Sequence, residues 1–167
     1  NDDGTLGQPN DLKALSIEHK VGIHACPTCV MSYGEEKGAI GYLVGEENRG
    51  IQCMFTMMNN ERLSVGLQGV GVSERAYQHA LAYARERIQS RKIDGGSPEP
   101  VAIIEHPDVR RMLLTMRALT DASRAICYEN GVMADIAEAT GDEAARAKND
   151  LLTPISKAFS TDIANEV

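Results

Sequence analysis

The sequence predicts a mainly α-helical protein, an antiparallel bundle of helices preceded by a short β-ribbon. Three stretches carry apolar residues at alternating spacings of three and four, the pattern of a helix that packs one face against other helices. Trp is absent, and aromatic residues make up only 4% of the 167 residues. The core must therefore be built from aliphatic side chains and Met, which suits helix packing better than a β-sandwich. Helices joined by short connections return alongside one another, so we expect antiparallel neighbours.

The first part of the chain lacks helical periodicity. Residues 1–15 contain Gly, Asp, Asn and Pro without a repeat and predict a loop or a flexible segment. Residues 21–33 and 40–44 are rich in β-branched and apolar residues, and a Gly-containing segment, 34–38, separates them. This pattern predicts two strands joined by a turn. Because a two-stranded ribbon is marginal on its own, we expect it to need further partners.

The first long helix is predicted from a regular stripe that includes one carboxylate: Leu63, Leu67, Val70, Glu74, Tyr77, Leu81, Ala84 and Ile88. Gly66, Gly69 and Gly71 interrupt the region. Each Gly costs a helix about 0.5–1 kcal/mol relative to Ala. Three of them together predict a compensating feature, namely the close approach of another helix.

Two further helices follow a loop at residues 92–100, which holds two Gly and two Pro. The second helix is predicted to start at His106, with Pro107 in its first turn, and to end at Gly141. Its stripe comprises Val109, Met112, Leu113, Met116, Leu119, Ser123, Ile126, Asn130, Met133, Ile136 and Ala137. The third helix either starts at Thr153 and Pro154 or starts near Asp142 and is kinked at Pro154. Its apolar face is formed by Ile155, Phe159 and Ile163.

Composition limits the function classes. The formal net charge is −7, which argues against nucleic acid as the main partner because phosphate binding requires a surplus of Lys and Arg. No apolar run approaches the roughly 20 residues of a membrane span, and no signal-peptide pattern opens the chain. These observations predict a cytoplasmic protein.

Four cysteines are too dispersed to indicate a disulfide framework, so we expect them to be reduced: Cys26, Cys29, Cys53 and Cys127. The Cys-x-x-Cys spacing, with His19 and His24 upstream, is compatible with a redox or zinc site. The surrounding apolar sequence instead favours small buried thiols, and no metal site is predicted.

A set of motifs along the chain resembles the acyl-CoA dehydrogenases, flavoenzymes in which a Gly-Glu-x-x-x-Gly turn leads from a β-domain into a C-terminal helical domain. The motifs are GEENRG at 45–50, NNER at 59–62, GVG at 69–71, YARERIQ at 83–89, IEHPDV at 104–109 and KAF at 157–159. Residues 22–31 and 106–113 look most like the bacterial branch that includes methylthiopropionyl-CoA dehydrogenases. The resemblance covers residues 20–167. It implies that residues 1–48 end the middle β-domain, with a flexible N-terminal segment, and that 49–167 are part of the helical domain.

The resemblance also implies an activity: FAD-dependent dehydrogenation between the α and β carbons of an acyl-CoA thioester. Electron-transfer flavoprotein or a similar acceptor is the implied partner, and a homodimer or homotetramer is the implied assembly. The 167-residue chain itself is expected to be inactive, because most relatives carry their catalytic base in a later segment. The alternative interpretation is a non-catalytic helical interaction or oligomerisation module, which would not depend on flavin.

Substrate binding is implied for four consecutive residues, Asn59, Asn60, Glu61 and Arg62, at the position where the family contacts the acyl-pantetheine part of its substrate. Asn59 and Arg62 are one helical turn apart, so both can contact one ligand. Glu61 is a candidate catalytic base, because a minority of the family carries its base on this helix. An ion pair with Arg62 or a neighbour is the competing role of Glu61, and a solvated polar turn is the alternative for the whole set.

Cofactor binding is implied for four residues near the loop. Arg87 and Gln89 resemble the family's pair that holds the FAD pyrophosphate of a neighbouring subunit, and a guanidinium suits phosphate because it donates two parallel hydrogen bonds. Ser90 and the residue after it replace the usual Phe-Gly. His106 and Pro107 stand where relatives often have an aromatic residue or His followed by Gln. Pro has no side-chain donor, so adenine recognition must differ. A charged helix terminus is the alternative interpretation of Arg87.

Overall fold

The computed structural model describes residues 3–96 and 98–167, which form two compact units. One unit ends at Gly50 and contains two strands, β1 (Leu12–Ile17) and β2 (Cys29–Tyr33). The other begins at Ile51 and contains a 3-10 turn and three helices, of which the first takes its first residue from the preceding unit. The helices are α1 (Gly50–Glu86), α2 (Pro107–Thr140) and α3 (Glu143–Glu166), and the 3-10 turn, Ile103–Glu105, precedes α2.

The β-ribbon is present, but its strands differ from the predicted pair. β1 runs antiparallel to β2, with Leu12 opposite Tyr33 and Ile17 opposite Cys29. The predicted strand at 40–44 is absent among the described residues, and the strand predicted from residue 21 begins only at Cys29. The N-terminal segment predicted to be a loop supplies part of β1; its first two residues lie outside the described part.

Side chains before β1 explain why residues 34–40 form a loop. The Asn10 carboxamide forms two hydrogen bonds with the main chain of Ile40. Its Nδ2 donates to the Ile40 carbonyl oxygen at 2.8 Å, and its Oδ1 accepts the Ile40 N–H at 2.9 Å. Asp11 Oδ2 accepts the backbone N–H groups of Glu36 at 2.8 Å and Lys37 at 2.7 Å. These bonds satisfy main-chain groups that a strand would have placed in a ladder.

The helical unit matches the predicted fold class, and its contacts fix the helix directions. Gly66 of α1 lies beside both Cys127 of α2 and Ser156 of α3, whereas Gly69, further along α1, lies beside Ser160. Contacts between α1 and α3 therefore advance in the same direction along both helices. Cys127 Sγ and Ser160 Oγ are 3.4 Å apart. α2 is antiparallel to both other helices, as its earlier Arg124 meets the later Glu74 of α1.

Close helix approach is confirmed as the reason for two of the three glycines. A Cβ added at Gly69 would lie 2.5 Å from the carbonyl oxygen of Ser160, and one added at Gly66 would lie 3.0 Å from that of Ser156. The backbones of α1 and α3 thus touch. The expectation is wrong for Gly71, where an added Cβ meets nothing within 4 Å.

The core between the helices combines buried members of the predicted stripes, among them Val70, Leu113 and Ile163, with small and polar side chains. Several predicted stripe members are more than a third exposed, including Leu67, Met112 and Ile155. The fully buried side chains are Asn130, Thr120, Cys127, Ser73, Ser123, Ser156 and Ser160. Helices whose backbones touch leave room only for small side chains, so the larger ones lie at the margins. Among the described residues, the hydroxyls of three buried serines have no hydrogen-bond partner: Ser73, Ser123 and Ser156.

Two polar connections supplement this packing. Glu74, which the apolar stripe included, pairs with Arg124 Nη2 at 2.6 Å and so joins α1 to α2. A hydrogen bond from Gln78 and then the Arg124 guanidinium lower the pKa of the Glu74 carboxyl. Between α2 and α3, Asn149 Nδ2 donates to the buried Asn130 Oδ1 at 2.8 Å. The hydrogen bond satisfies a buried carboxamide and so favours this helix register.

Helix ends follow local signals in most cases. α2 starts with Pro107 at its first position and ends at Gly141, whose φ of 72° is the left-handed conformation of a helix cap. Asp142 caps α3 by accepting the N–H groups of two following alanines, and Pro154 lies inside that helix. The predicted start of α3 near Asp142 is therefore confirmed. α1 ends at Glu86, before Ile88, which instead forms an isolated bridge with Ala102.

We predict that Gly69→Ala destabilises the helical unit by about 1–3 kcal/mol, because its methyl group forces two backbones apart. Gly71→Ala is the matched control: it lies in the same helix turn with open space around it and should stabilise by about 0.5–1 kcal/mol. Urea unfolding followed by circular dichroism measures both. Equal effects of the two substitutions would contradict the backbone contact.

Acidification tests the contact between Asp11 and its loop. Hydrogen bonds from the N–H groups of Lys37, first, and Glu36 hold the pKa of the Asp11 carboxyl below its ordinary value. A lowered pKa gives stabilisation that is complete above the unfolded value, about 3.9, and is lost as the pH falls through the folded value. We expect the two amide resonances to hold their positions down to about pH 4 and to shift below it. Resonances that stay in place after full protonation would contradict the contact.

Candidate functional site

The chain segments on either side of the loop form a small antiparallel ladder at the end of α1. The Gln89 N–H donates to the Val101 carbonyl at 2.9 Å, and the Val101 N–H donates to the Ser90 carbonyl at 2.9 Å. The Ile103 N–H donates to the Arg87 carbonyl at 2.8 Å. These bonds hold the end of α1 against the start of α2, and we call residues 87–90 and 101–107 the corner.

The corner brings together the four residues predicted to bind a cofactor. Arg87 Nε and Nη2 each donate to Gln89 Oε1 at 3.4 Å. His106 Nε2 lies 2.7 Å from the main-chain oxygen of Gln89. Pro107, the first residue of α2, follows directly. The structure thus places a guanidinium, a carboxamide and an imidazole side by side.

The Arg87 guanidinium forms no ion pair with a carboxylate among the described residues. The nearby carboxylate, Glu105, pairs instead with Lys92 at 2.9 Å and Arg110 at 3.0 Å. The hydrogen bond from Lys92 is the main reason that the pKa of Glu105 is lowered. The negative charge is neutralised by other cations, and Arg87 keeps donors available to a ligand.

The predicted substrate residues lie in the first third of α1. Arg62 Nη1 donates to Asn59 Oδ1 at 3.5 Å, and its guanidinium lies 5.6 Å from the centre of the Phe55 ring. Glu61 is exposed, and within the described part of the chain it makes no ion pair. Arg62 therefore bonds Asn59, and the ion pair with Glu61 that was the alternative role of that carboxylate is not formed. The Asn60 main-chain oxygen accepts the Ser64 hydroxyl at 3.1 Å.

The two sets of predicted residues are far apart along one helix. Arg62 and the helix end at Glu86 are separated by 24 residues, or about 36 Å at 1.5 Å per residue. A single small ligand does not bridge that distance. The predicted substrate residues and the corner therefore lie at two separate places on the chain.

Sequence reasoning missed the supporting residues of the corner. Lys92 and Glu105 lie on opposite sides of the loop, so no helical spacing indicates their ion pair. Ser90 adopts a φ of +61°, which its residue type does not suggest because this conformation favours Gly. Arg110, three residues after Pro107, is the one supporting residue with a local sequence signal. It is a cation close in sequence to Glu105, the carboxylate just before α2, with which it pairs. Its Nε also donates to the Ile104 carbonyl at 2.9 Å.

The cysteine motif differs from its interpretation as buried thiols. Cys26 is exposed, Cys29 is partly exposed, and all four cysteines are free; Cys127 is the buried one. Residues 3–96 and 98–167 contain no cluster of three or more His, Cys, Asp or Glu placed to hold a metal ion. The same residues include no helix with the length and apolar character needed to span a membrane.

Comparison with known proteins identifies the family. The model of the acyl-CoA dehydrogenase C-terminal domain matches residues 48–151. The chain belongs to the acyl-CoA dehydrogenase family. It is 52% identical over 167 residues to 3-methylmercaptopropionyl-CoA dehydrogenase of Ruegeria pomeroyi, a match that covers 98% of this chain and 28% of the relative. The resemblance to that bacterial branch is confirmed.

Other matches support the same family and fold. A butyryl-CoA dehydrogenase of Syntrophomonas wolfei is 39% identical over 173 residues, with 98% of this chain and 28% of the relative covered. The solved structure of butyryl-CoA dehydrogenase from Megasphaera elsdenii superimposes with a TM-score of 0.69 at 19% identity, covering 92% of this chain and 35% of that one. The chain thus spans little more than a quarter of these curated relatives' length.

Proposed function

We propose that the chain is part of an FAD-dependent enzyme that removes hydrogen from the α and β carbons of an acyl-CoA thioester. The observation that supports this most strongly is the corner, where family membership and geometry coincide. In this reaction a carboxylate takes the α-proton, and FAD supplies the hydride acceptor. The chain's own contribution is to bind and orient the two ligands.

The donors at the corner fit a pyrophosphate. A guanidinium has five N–H donors, and Arg87 directs two of them at Gln89 Oε1, which leaves three for a ligand. The Gln89 side-chain NH2 adds two more, and no carboxylate among the described residues competes for Arg87. Pro107 offers no side-chain donor, so recognition of the adenine would depend on other groups.

Substrate contact is proposed for Asn59, Asn60, Glu61 and Arg62. Amide and guanidinium groups suit the amide and carbonyl groups of the pantetheine arm. Asn59, Asn60 and Glu61 are exposed on α1 and Arg62 is partly exposed, so all four are accessible. We propose that the main catalytic base lies outside residues 1–167. Glu61 remains the candidate base within them, and the isolated chain is expected to be inactive.

The separation of the two sites supports an oligomer. About 36 Å along α1 is longer than the distance between the isoalloxazine ring of a flavin and its own pyrophosphate. The corner of one subunit would therefore hold the pyrophosphate of a flavin whose ring serves another subunit, as the family resemblance implies. We propose a cytoplasmic homodimer or homotetramer that passes electrons to electron-transfer flavoprotein or a similar acceptor.

Arg87→Ala in the full-length protein should weaken FAD binding by about 10- to 150-fold, corresponding to the 1.5–3 kcal/mol of a charge-assisted hydrogen bond. Titration of the apoprotein with FAD, followed by flavin fluorescence, measures the change. Arg85→Ala is the matched control, because Arg85 lies in the last turn of the same helix and is exposed.

The control variant should bind FAD as the parent does. If both substitutions weaken FAD equally, the effect is one of general charge and the assignment of Arg87 is wrong. If neither does, the corner does not hold the cofactor.

A further inference from the structure

We propose that His106 is a positioning residue that acts through Gln89: its Nε2–H holds the Gln89 carbonyl and so fixes the turn that directs Arg87 and Gln89 at a phosphate. The phosphate target rests on the function proposed above. The positioning itself rests on contacts within the corner. It assigns a role to the imidazole other than direct contact with the nucleotide.

The contact with Gln89 fixes which ring nitrogen of His106 carries the proton. Nε2 lies 2.7 Å from a carbonyl oxygen, which can only accept a hydrogen bond. Nε2 must therefore carry the proton and donate. In the neutral ring this fixes the tautomer and leaves Nδ1 as an acceptor, which cannot donate to phosphate oxygens.

The hydrogen bond from His106 to the Gln89 carbonyl also holds a strained backbone conformation in place. Ser90 has a φ of +61°, a left-handed conformation that is costly for a residue other than Gly and persists where neighbouring contacts impose it. The peptide plane just before Ser90 contains the Gln89 carbonyl, and His106 holds that oxygen. Val101 holds the other side of the turn through the Ser90 carbonyl at 2.9 Å.

The same hydrogen bond leaves only the side chain of Gln89 free to contact a ligand. Its N–H donates to Val101, and its carbonyl accepts from His106, so both main-chain groups are committed. The side-chain amide remains to contact Arg87 and a ligand. A shift of the Gln89 main chain would carry that amide away from the guanidinium.

His106 is itself well anchored for this role. Its N–H donates to the Ile103 carbonyl at 3.0 Å, and its carbonyl accepts the Arg110 N–H at 3.1 Å. The following Pro107 restricts the backbone further. His106 occupies the N-cap position of α2, yet its side chain makes no capping bond. The ring instead bonds Gln89, on the far side of the loop.

Two amide substitutions separate positioning from contact. The side-chain nitrogen of Gln reaches about as far from the backbone as imidazole Nε2, whereas that of Asn reaches only as far as Nδ1. His106→Gln can therefore keep the bond to the Gln89 carbonyl, and His106→Asn cannot. Amide hydrogen exchange of Gln89 and Val101, measured by NMR on the 167-residue chain without ligand, reports whether the turn that the bond holds stays closed.

We expect exchange of both amides to accelerate about three- to tenfold in His106→Asn, as for the loss of one hydrogen bond, and to stay near the parent rate in His106→Gln. The Ser73 amide, within the helix core, should be unchanged in both and serves as an internal control. Equal rates in the two variants, whether both fast or both parental, would overturn the positioning role.

FAD titration of the full-length protein tests the consequence. If His106 acts through Gln89, His106→Asn weakens FAD binding and His106→Gln preserves it. If the ring contacts the nucleotide, both variants weaken it, although exchange in His106→Gln remains parental; that result would overturn the proposal. If Arg87→Ala leaves FAD binding unchanged, the proposed function fails, and the exchange rates alone decide whether His106 holds the turn.

Discussion

The contact between the backbones of α1 and α3 at Gly66 and Gly69 sets the arrangement of the helical unit. Helices this close exclude large side chains, so the space around the contact is filled by Ser, Thr, Cys and Asn. Stability then depends on close packing and a few satisfied polar pairs rather than on a large apolar core. Substitutions at the contact between α1 and α3 should therefore lower the stability of the helical unit more than their small change in side-chain volume suggests. The direction that the contact gives α1 also determines where its end, and hence the corner, lies.

Local chemistry made much of this fold predictable from the sequence. Pro107 and Gly141 mark the ends of α2 because each suits a backbone conformation found at a helix terminus. The energetic cost of Gly predicted close packing at Gly66 and Gly69. Nothing in the sequence distinguished these from Gly71, because the face on which α3 packs is a tertiary property. The apolar stripes located buried core positions such as Val70, Leu113 and Ile163, but they missed Ser156 and Ser160 at the contact between α1 and α3.

The remaining errors share one cause, which is contact between residues distant in sequence. The strand pairing was wrong because Asn10 and Asp11 organise a loop 25 to 30 residues away. The residues of the corner could be named from family resemblance, but the ladder across the loop and the strained Ser90 could not. In the loop and in the corner, side chains form hydrogen bonds with main-chain groups, and the spacing of apolar residues in the sequence does not indicate such bonds. The structure thus supplies the supports, and the family resemblance supplied the residues proposed to face the ligand.

We expect the free energy of local opening to vary along α1. Residues 50–61 of α1 are exposed, its middle touches α3, and its end is held by the corner. Native-state hydrogen exchange in increasing denaturant measures the free energy of opening at each amide. The most stable amides should lie around Gly69 in α1 and Ser160 in α3, with those before Glu61 opening first. Opening free energies that are uniform along α1, or highest before Glu61, would contradict the backbone contact as the interaction on which the unit depends.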